Sequence, residues 1–179
     1  MAKDVRSARR REFDPQHGGN RQLARQGAPV GSRRKRGAYR QAIGRSRGGR
    51  TTKIHALSDD EGRPRVFALT PGNVADISLA PQLIAAAGPL RRLIADKGYD
   101  ANSLRRRLAD QDIEAVIPST ASRKRPIPHD PIAYRLRNLV ERMFGRLKDF
   151  RRVATRYDKL ARNFLATLAI AATVLWWLN

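Results

Sequence analysis

Two acidic residues sit where chemistry could be done. Asp96 follows the apolar run LRRLIA, in the string LIADKGYD. An acid at the end of a strand is fixed by the sheet while the strand end stays open to substrate. Gly98, two residues on, lets the backbone turn sharply. Glu141 belongs to a second pattern with Tyr134, Arg137 and Lys148, spaced Y-x2-R-x3-E-x6-K. Stepping about 100° per residue from Tyr134, the other three fall at roughly 300°, 340° and 320°. They form one polar stripe along a helix. Leu136, Leu139, Val140, Met143, Phe144 and Leu147 fall on the adjoining face, which reads as core. Carboxylates suit Mg²⁺ or Mn²⁺, whose remaining ligands are water and phosphate. Two such ions activate an attacking hydroxyl and stabilise a leaving oxygen in phosphodiester chemistry. A two-metal site calls for a third carboxylate beside Asp96 and Glu141. Plainer roles compete: Asp96 as a turn cap or a partner of Lys97 or a nearby Arg, and Arg137–Glu141 as an i,i+4 ion pair. His17, His55 and His129 are too scattered for a metal set, and His55 reads as structural.

These residues need elements to hold them. From residue 51 the chain reads as two strands (51–57 and 64–70) about an acidic turn at 59–62. A helix over 76–87 follows, capped by Asp76 or Asn73 and ended by Gly88-Pro89, with Pro81 an interior blemish. A strand at 90–95 leads to Asp96. Then come a helix over 101–111 and a strand at 113–117. A loop over 119–131 displays Arg123, Lys124 and Arg125 between prolines. A long helix is expected over about 132–153 and a last one over about 160–178. The order β-β-α-β-α-β-α-α predicts an α/β fold, a mixed sheet with flanking helices. The apolar run at 164–178 is shorter than the roughly 20 residues that a membrane span needs. A buried helix fits it better. The N-terminus lacks the apolar stretch of a signal peptide.

Charge sets the partner. The 179 residues hold 37 Lys and Arg against 16 Asp and Glu, a surplus of 21. Such a surplus favours a polyanion, most commonly nucleic acid. The first 50 residues carry 15 of these cations and 3 acids, a surplus of 12. Val5, Leu23, Val30 and Ile43 stand far apart there, between glycines and prolines. Residues 1–43 therefore read as a basic, disordered arm that cannot repay the entropy of ordering. Cysteine is absent, which excludes a thiol nucleophile, a cysteine metal site and a disulfide scaffold, and fits a reducing cytosol.

Four segments together resemble the DDE transposases of bacterial insertion sequences, in the insertion sequence 4/5 group. They are the tetrad Tyr134, Arg137, Glu141 and Lys148, and the strings GRSRGGRTTKIHALSD, ADKGYD and ERMFGRLKDFRRVATRYDKL. The resemblance runs from about Lys35 to the C-terminus. It implies a ribonuclease H-like fold over 44–179. Asp96 would be the second catalytic Asp and Glu141 the catalytic Glu, both binding Mg²⁺ (or Mn²⁺). Arg137 and Lys148 would contact DNA phosphates, and Tyr134 would lie near the reacting end. The implied chemistry is metal-dependent hydrolysis at element ends, then attack of a 3′-hydroxyl on target DNA. The implied partner is double-stranded DNA, both terminal repeats and target, held by a homo-oligomer on the bacterial nucleoid in the cytoplasm.

One departure matters. The family's first catalytic Asp ends the first strand, shortly before GRSRGG. No strand is legible there, and neither Asp4 nor Asp14 fits the place. The expectation is an incomplete sheet without its first strand: a truncated or frame-shifted transposase, inactive alone. Alternatives are a non-catalytic DNA-binding fragment that interferes with intact transposase, and a basic structural RNA-binding protein. Charge alone favours the last, but it leaves the tetrad unexplained.

Overall fold

The computed structural model describes residues 20–29, 41–46 and 49–178. The strands are β1 (Asn20–Pro29), β2 (Gly44–Ser46), β3 (Gly49–Ser58), β4 (Pro64–Pro71), β5 (Arg92–Ala95) and β6 (Glu114–Val116). The helices are α1 (Ala80–Ala87), α2 (Asn102–Ala109), α3 (Pro131–Tyr134), α4 (Asn138–Lys148), α5 (Arg151–Ala154) and α6 (Ala161–Trp176). Single 3-10 turns occupy Asp76–Ser78, Lys97–Tyr99 and Arg135–Arg137.

The sheet is mixed, with strand order β4-β3-β1-β5-β6 and β2 continuing the β4 edge. β3 pairs antiparallel with β1 on one side and with β4 and β2 on the other. β1 runs parallel to β5, and β5 parallel to β6. Alternate residues of a strand face opposite sides. Accordingly Leu57 enters one core with Leu23, Leu83, Leu93, Tyr99 and Leu108, under α1 and α2. Ala56 and Ile54 enter the other, with Val140, Met143, Phe144 and Leu147 of α4 and Phe164 and Leu168 of α6. Each buried Leu or Phe contributes roughly 1.5–3 kcal/mol. Truncating the fully buried Phe164 to Ala would cost about 3–5 kcal/mol, because a cavity adds to the lost transfer energy.

The first strand is present, which corrects the expectation of an incomplete sheet. β1 lies between β3 and β5 and pairs with both. Backbone bonds on both edges hold it. Its sequence, NRQLARQGAP, has one aliphatic residue larger than Ala, so its propensity gave no sign of a strand. Tertiary context overrides such weak preferences. The ordered sheet thus begins at Asn20, inside the region read as an arm. The rest of that reading, over residues 1–19 and 30–40, lies outside the described residues, as do Asp4 and Asp14.

Other elements shift in ways that have causes. The helix expected from 76 starts at Ala80, after a 3-10 turn, so Pro81 lies in the first turn, where its missing N–H costs little. The Asp76 carboxylate pairs with Lys53 at 2.9 Å, and Lys53 also donates to the Val74 carbonyl at 2.6 Å. The long helix expected over 132–153 is divided into α3, a 3-10 turn, α4 and α5. The turn changes the helical phase before Asn138. Leu136, expected in the core, is 38% exposed. His55 is structural as expected: it is buried, with Nε2 2.7 Å from Thr70 Oγ1.

Arg156 is an unexpected fixture. It is fully buried, donates to Thr52 Oγ1 and to the Asp158 carbonyl (2.9 Å), and stacks over Phe164 at 5.1 Å. Burial lowers its pKa from the ordinary value, against the pull of Asp158. It ties the TRYDKL segment to β3.

Candidate active site

Asp96 comes one residue after β5, whose Leu93, Ile94 and Ala95 are fully buried. Its Oδ1 accepts the Gly98 N–H at 2.8 Å and so caps the turn Lys97–Tyr99. A Cβ on Gly98 would meet that oxygen at 2.9 Å, so a larger residue there would push the Asp96 carboxylate aside. Among the described residues no cation pairs with this carboxylate, and it is half-buried at the open end of the strand. Leu23 lies beside Ala95 in the parallel β1–β5 pair. The parallel pairing ends at that step, just before Asp96. β1 carries no Asp or Glu anywhere along its length.

Glu141 lies in the first turn of α4 and is exposed; Arg137, in the preceding 3-10 turn, pairs with it. Val140, Met143, Phe144 and Leu147 bury the opposite side, so the amphipathic pattern orients the acid outward. Lys148, in the last turn, is exposed. Tyr134 is half-buried, edge-on to the His129 ring at 5.4 Å, and packs on Ile94, Val116 and Ala133. The Asp130 side chain caps α3 by accepting from the N–H groups of Ile132 (2.8 Å) and Ala133 (3.0 Å).

The structure thus brings Arg137 and Glu141 together directly. α3 and the Arg135–Arg137 turn pack on β5, the strand that ends at Asp96, and α4 packs on β1. No hydrogen bond or ion pair among the described residues joins Asp96 to Tyr134, Arg137, Glu141 or Lys148. No group of three His, Asp or Glu residues there is placed to hold a metal ion. Asp96 and Glu141 supply hard oxygen donors, the right kind for Mg²⁺, but they are two carboxylates rather than three. On β1, the buried amide of Gln22 has no hydrogen-bond partner among the described residues, and neither has the buried hydroxyl of Ser58 opposite it on β3.

A residue that sequence reasoning passed over is Asp100. Its side chain is fully buried. It accepts from Arg105 Nε (2.8 Å), from Arg123 Nε and Nη2 (2.8 Å each) and from the Thr120 N–H (2.8 Å). Burial pushes the Asp100 carboxyl up, but the bonds from Arg123, Thr120 and Arg105 together hold it well below the usual carboxylate range. The only sequence sign was a second acid in the string DKGYD. Its main partner lies 23 residues away.

A family model described as the transposase DDE domain matches residues 25–177. The chain belongs to the DDE transposase family. Among similar curated proteins is a Brucella ovis protein described as a transposase for insertion sequence element IS6501. It is 32% identical over 127 residues, 70% of this chain and 98% of that protein. A Burkholderia cepacia protein described as a transposase for IS402 is 33% identical over 137 residues, 70% of this chain but 63% of its own length. Among solved structures, the chain resembles the HTLV-2 integrase catalytic core, solved as a magnesium complex. The TM-score is 0.51 at 13% identity, covering 90% of this chain and 88% of that one. The BIV integrase core gives a TM-score of 0.51 at 16% identity, covering 89% and 84%. With the strand order above, this likeness makes the fold ribonuclease H-like. No helix among the described residues is long and apolar enough to cross a membrane.

Proposed function

We propose that this DDE transposase chain binds duplex DNA at insertion-sequence ends and carries two of the three acids for metal-dependent strand cleavage and transfer, so that alone it holds DNA without cutting it. The observation that carries this reading is the state of Asp96. It stands at the open end of β5 with no cation paired to it among the described residues, on a sheet covered by helices. Asp96 and Glu141 would hold a Mg²⁺ or Mn²⁺ ion, with water and DNA phosphate as its other ligands. The metal would supply activation of the attacking hydroxyl and stabilisation of the leaving oxygen. Arg137 holds Glu141 in place by their ion pair and, with Lys148, offers cations to the phosphate backbone. Tyr134, fixed against the core on one side, orients the DNA end. The partners are terminal-repeat and target DNA, held by a homo-oligomer in the bacterial cytoplasm at the nucleoid.

A second reading has one observation in its favour: β1, the strand paired with β5, carries no Asp or Glu to stand with Asp96. On that reading this polypeptide holds no metal and takes part in no chemistry, and it competes with a complete transposase for the element ends. The two readings agree on DNA and separate on chemistry. Fluorescence anisotropy with a labelled duplex tests the shared part. Asp96→Ala should leave affinity unchanged, and Lys148→Ala should weaken it and reduce its salt dependence. Equal affinity in Lys148→Ala would remove that residue from the DNA surface.

A further inference from the structure

The loop 119–130, between β6 and α3, is pinned at three points. Ser119 Oγ accepts from the Ile127 N–H (2.8 Å) and donates to the Ile127 carbonyl (3.2 Å), which closes the loop on itself. Thr120 and Arg123 bond to the buried carboxylate of Asp100, Arg123 through two nitrogens. Arg123 Nη1 also donates to Asn102 Oδ1 at 2.7 Å, at the start of α2. Pro126 and Pro128 restrict the backbone further. Lys124 and Arg125 stand exposed on this frame. Neither has an ion-pair partner among the described residues. With Asp100, Asn102, Thr120 and Arg123 they line an open cleft of about 550 Å³.

We propose that Asp100 is a positioning residue: through Arg123 and Thr120 it sets the loop so that Lys124 and Arg125 grip a DNA phosphate backbone, at a site separate from the stripe of Tyr134, Arg137 and Lys148. The charge balance supports this. One carboxylate faces two guanidinium groups, Arg105 and Arg123, so the floor of the cleft keeps a net positive charge. The acid in the cleft is already saturated and does not compete for Lys124 and Arg125. An anion with spread oxygens fits such a wall, and guanidinium forks match phosphate geometry. An unpinned basic loop would lose much of its affinity to the entropy of ordering; here that ordering is done before the ligand arrives. The inference rests on the DNA-binding reading proposed above.

The test measures duplex DNA affinity of the full chain by anisotropy across a NaCl series. The double variant Lys124→Ala/Arg125→Ala should bind about tenfold more weakly and lower the slope of log K against log [NaCl] by about 2. A charge-matched control, Arg106→Ala/Arg107→Ala on the exposed side of α2, should change affinity by less than half as much. Asp100→Asn, checked for a cooperative melt, should reproduce most of the loss, and adding the loop changes to it should lower affinity little further. Hydrogen exchange of amides 119–127 should quicken in Asp100→Asn without quickening in the core strands. Should Asp100→Asn fail to fold, Ser119→Ala, which opens the loop closure alone, takes its place with the same expected loss. Equal losses in the loop variant and the control would overturn the proposal. So would full affinity in a folded Asp100→Asn or Ser119→Ala chain. Failure of the unmodified chain to bind duplex DNA would overturn the DNA reading itself, a result distinct from these.

Discussion

Asp96 and Asp100 sit four residues apart in one string and live in opposite conditions. Asp96 stands half-buried at a strand end, with a backbone N–H on one oxygen and no cation among the described residues. Asp100 is sealed from solvent, with two arginines and a backbone N–H on its oxygens. A carboxylate surrounded by fixed positive charge has no coordination left to offer; one at an open strand end does. On the reading proposed above the first serves chemistry and the second architecture, and the turn Lys97–Tyr99 lies between them.

The comparison breaks most readily by substitution. Asp100→Asn leaves two guanidinium groups facing an uncharged amide. It should cost about 2–3 kcal/mol in chemical or thermal unfolding, below the full range for a buried pair because both arginines keep some solvent contact. Asp96→Asn should stay within about 0.5 kcal/mol of the unmodified chain. Similar losses at both positions would erase the distinction.

Acid titration sharpens it next. The folded-state pKa of Asp100 lies below its unfolded value of about 3.9. Its stabilisation is therefore complete above that value and is lost as pH falls towards the folded pKa. Below about pH 4, unfolding free energy should fall more steeply for the unmodified chain than for Asp100→Asn. Between pH 5 and 8 the two should run parallel. Melts in urea at stepped pH measure this.

A smaller effect probes Asp96. Mg²⁺ at about five times its dissociation constant should raise stability by about 1 kcal/mol, and chelation should reverse it. Asp96→Ala should lose this response and Asp100→Asn should keep it. The smallest effect belongs to Arg137→Ala. Its exposed i,i+4 pair with Glu141 should be worth a few tenths of a kcal/mol in stability. Its effect on DNA affinity should be the larger.

The legible part of this molecule was local. Residues 51 onward showed their strands and helices because apolar spacing, prolines and glycines agreed with the final fold. Asp96 at a strand end and Glu141 on an outward helix face were visible for the same reason. β1 was not, because two neighbouring strands hold its backbone, and Gln22 and Leu23 bury themselves in a run otherwise rich in Arg and Gly. The break at Arg135–Arg137 was hidden because a 3-10 turn preserves helix-like composition while shifting the phase. Asp100 was passed over because its meaning depends on Arg123, which only the closed loop brings to it. Arg156 was quoted within a family segment, but its burial under Phe164 depends on α6 folding back over β3.

The central claim is that this chain holds DNA with its basic surface and presents Asp96 and Glu141 to a metal without a third carboxylate on β1. Supercoiled plasmid incubated with the chain in Mg²⁺ or Mn²⁺, and followed by gel, tests it most directly. The account predicts retarded DNA that stays supercoiled, with the same retardation for the Asp96→Ala and Glu141→Ala chains. Nicked or joined products that vanish on Asp96→Ala would contradict it.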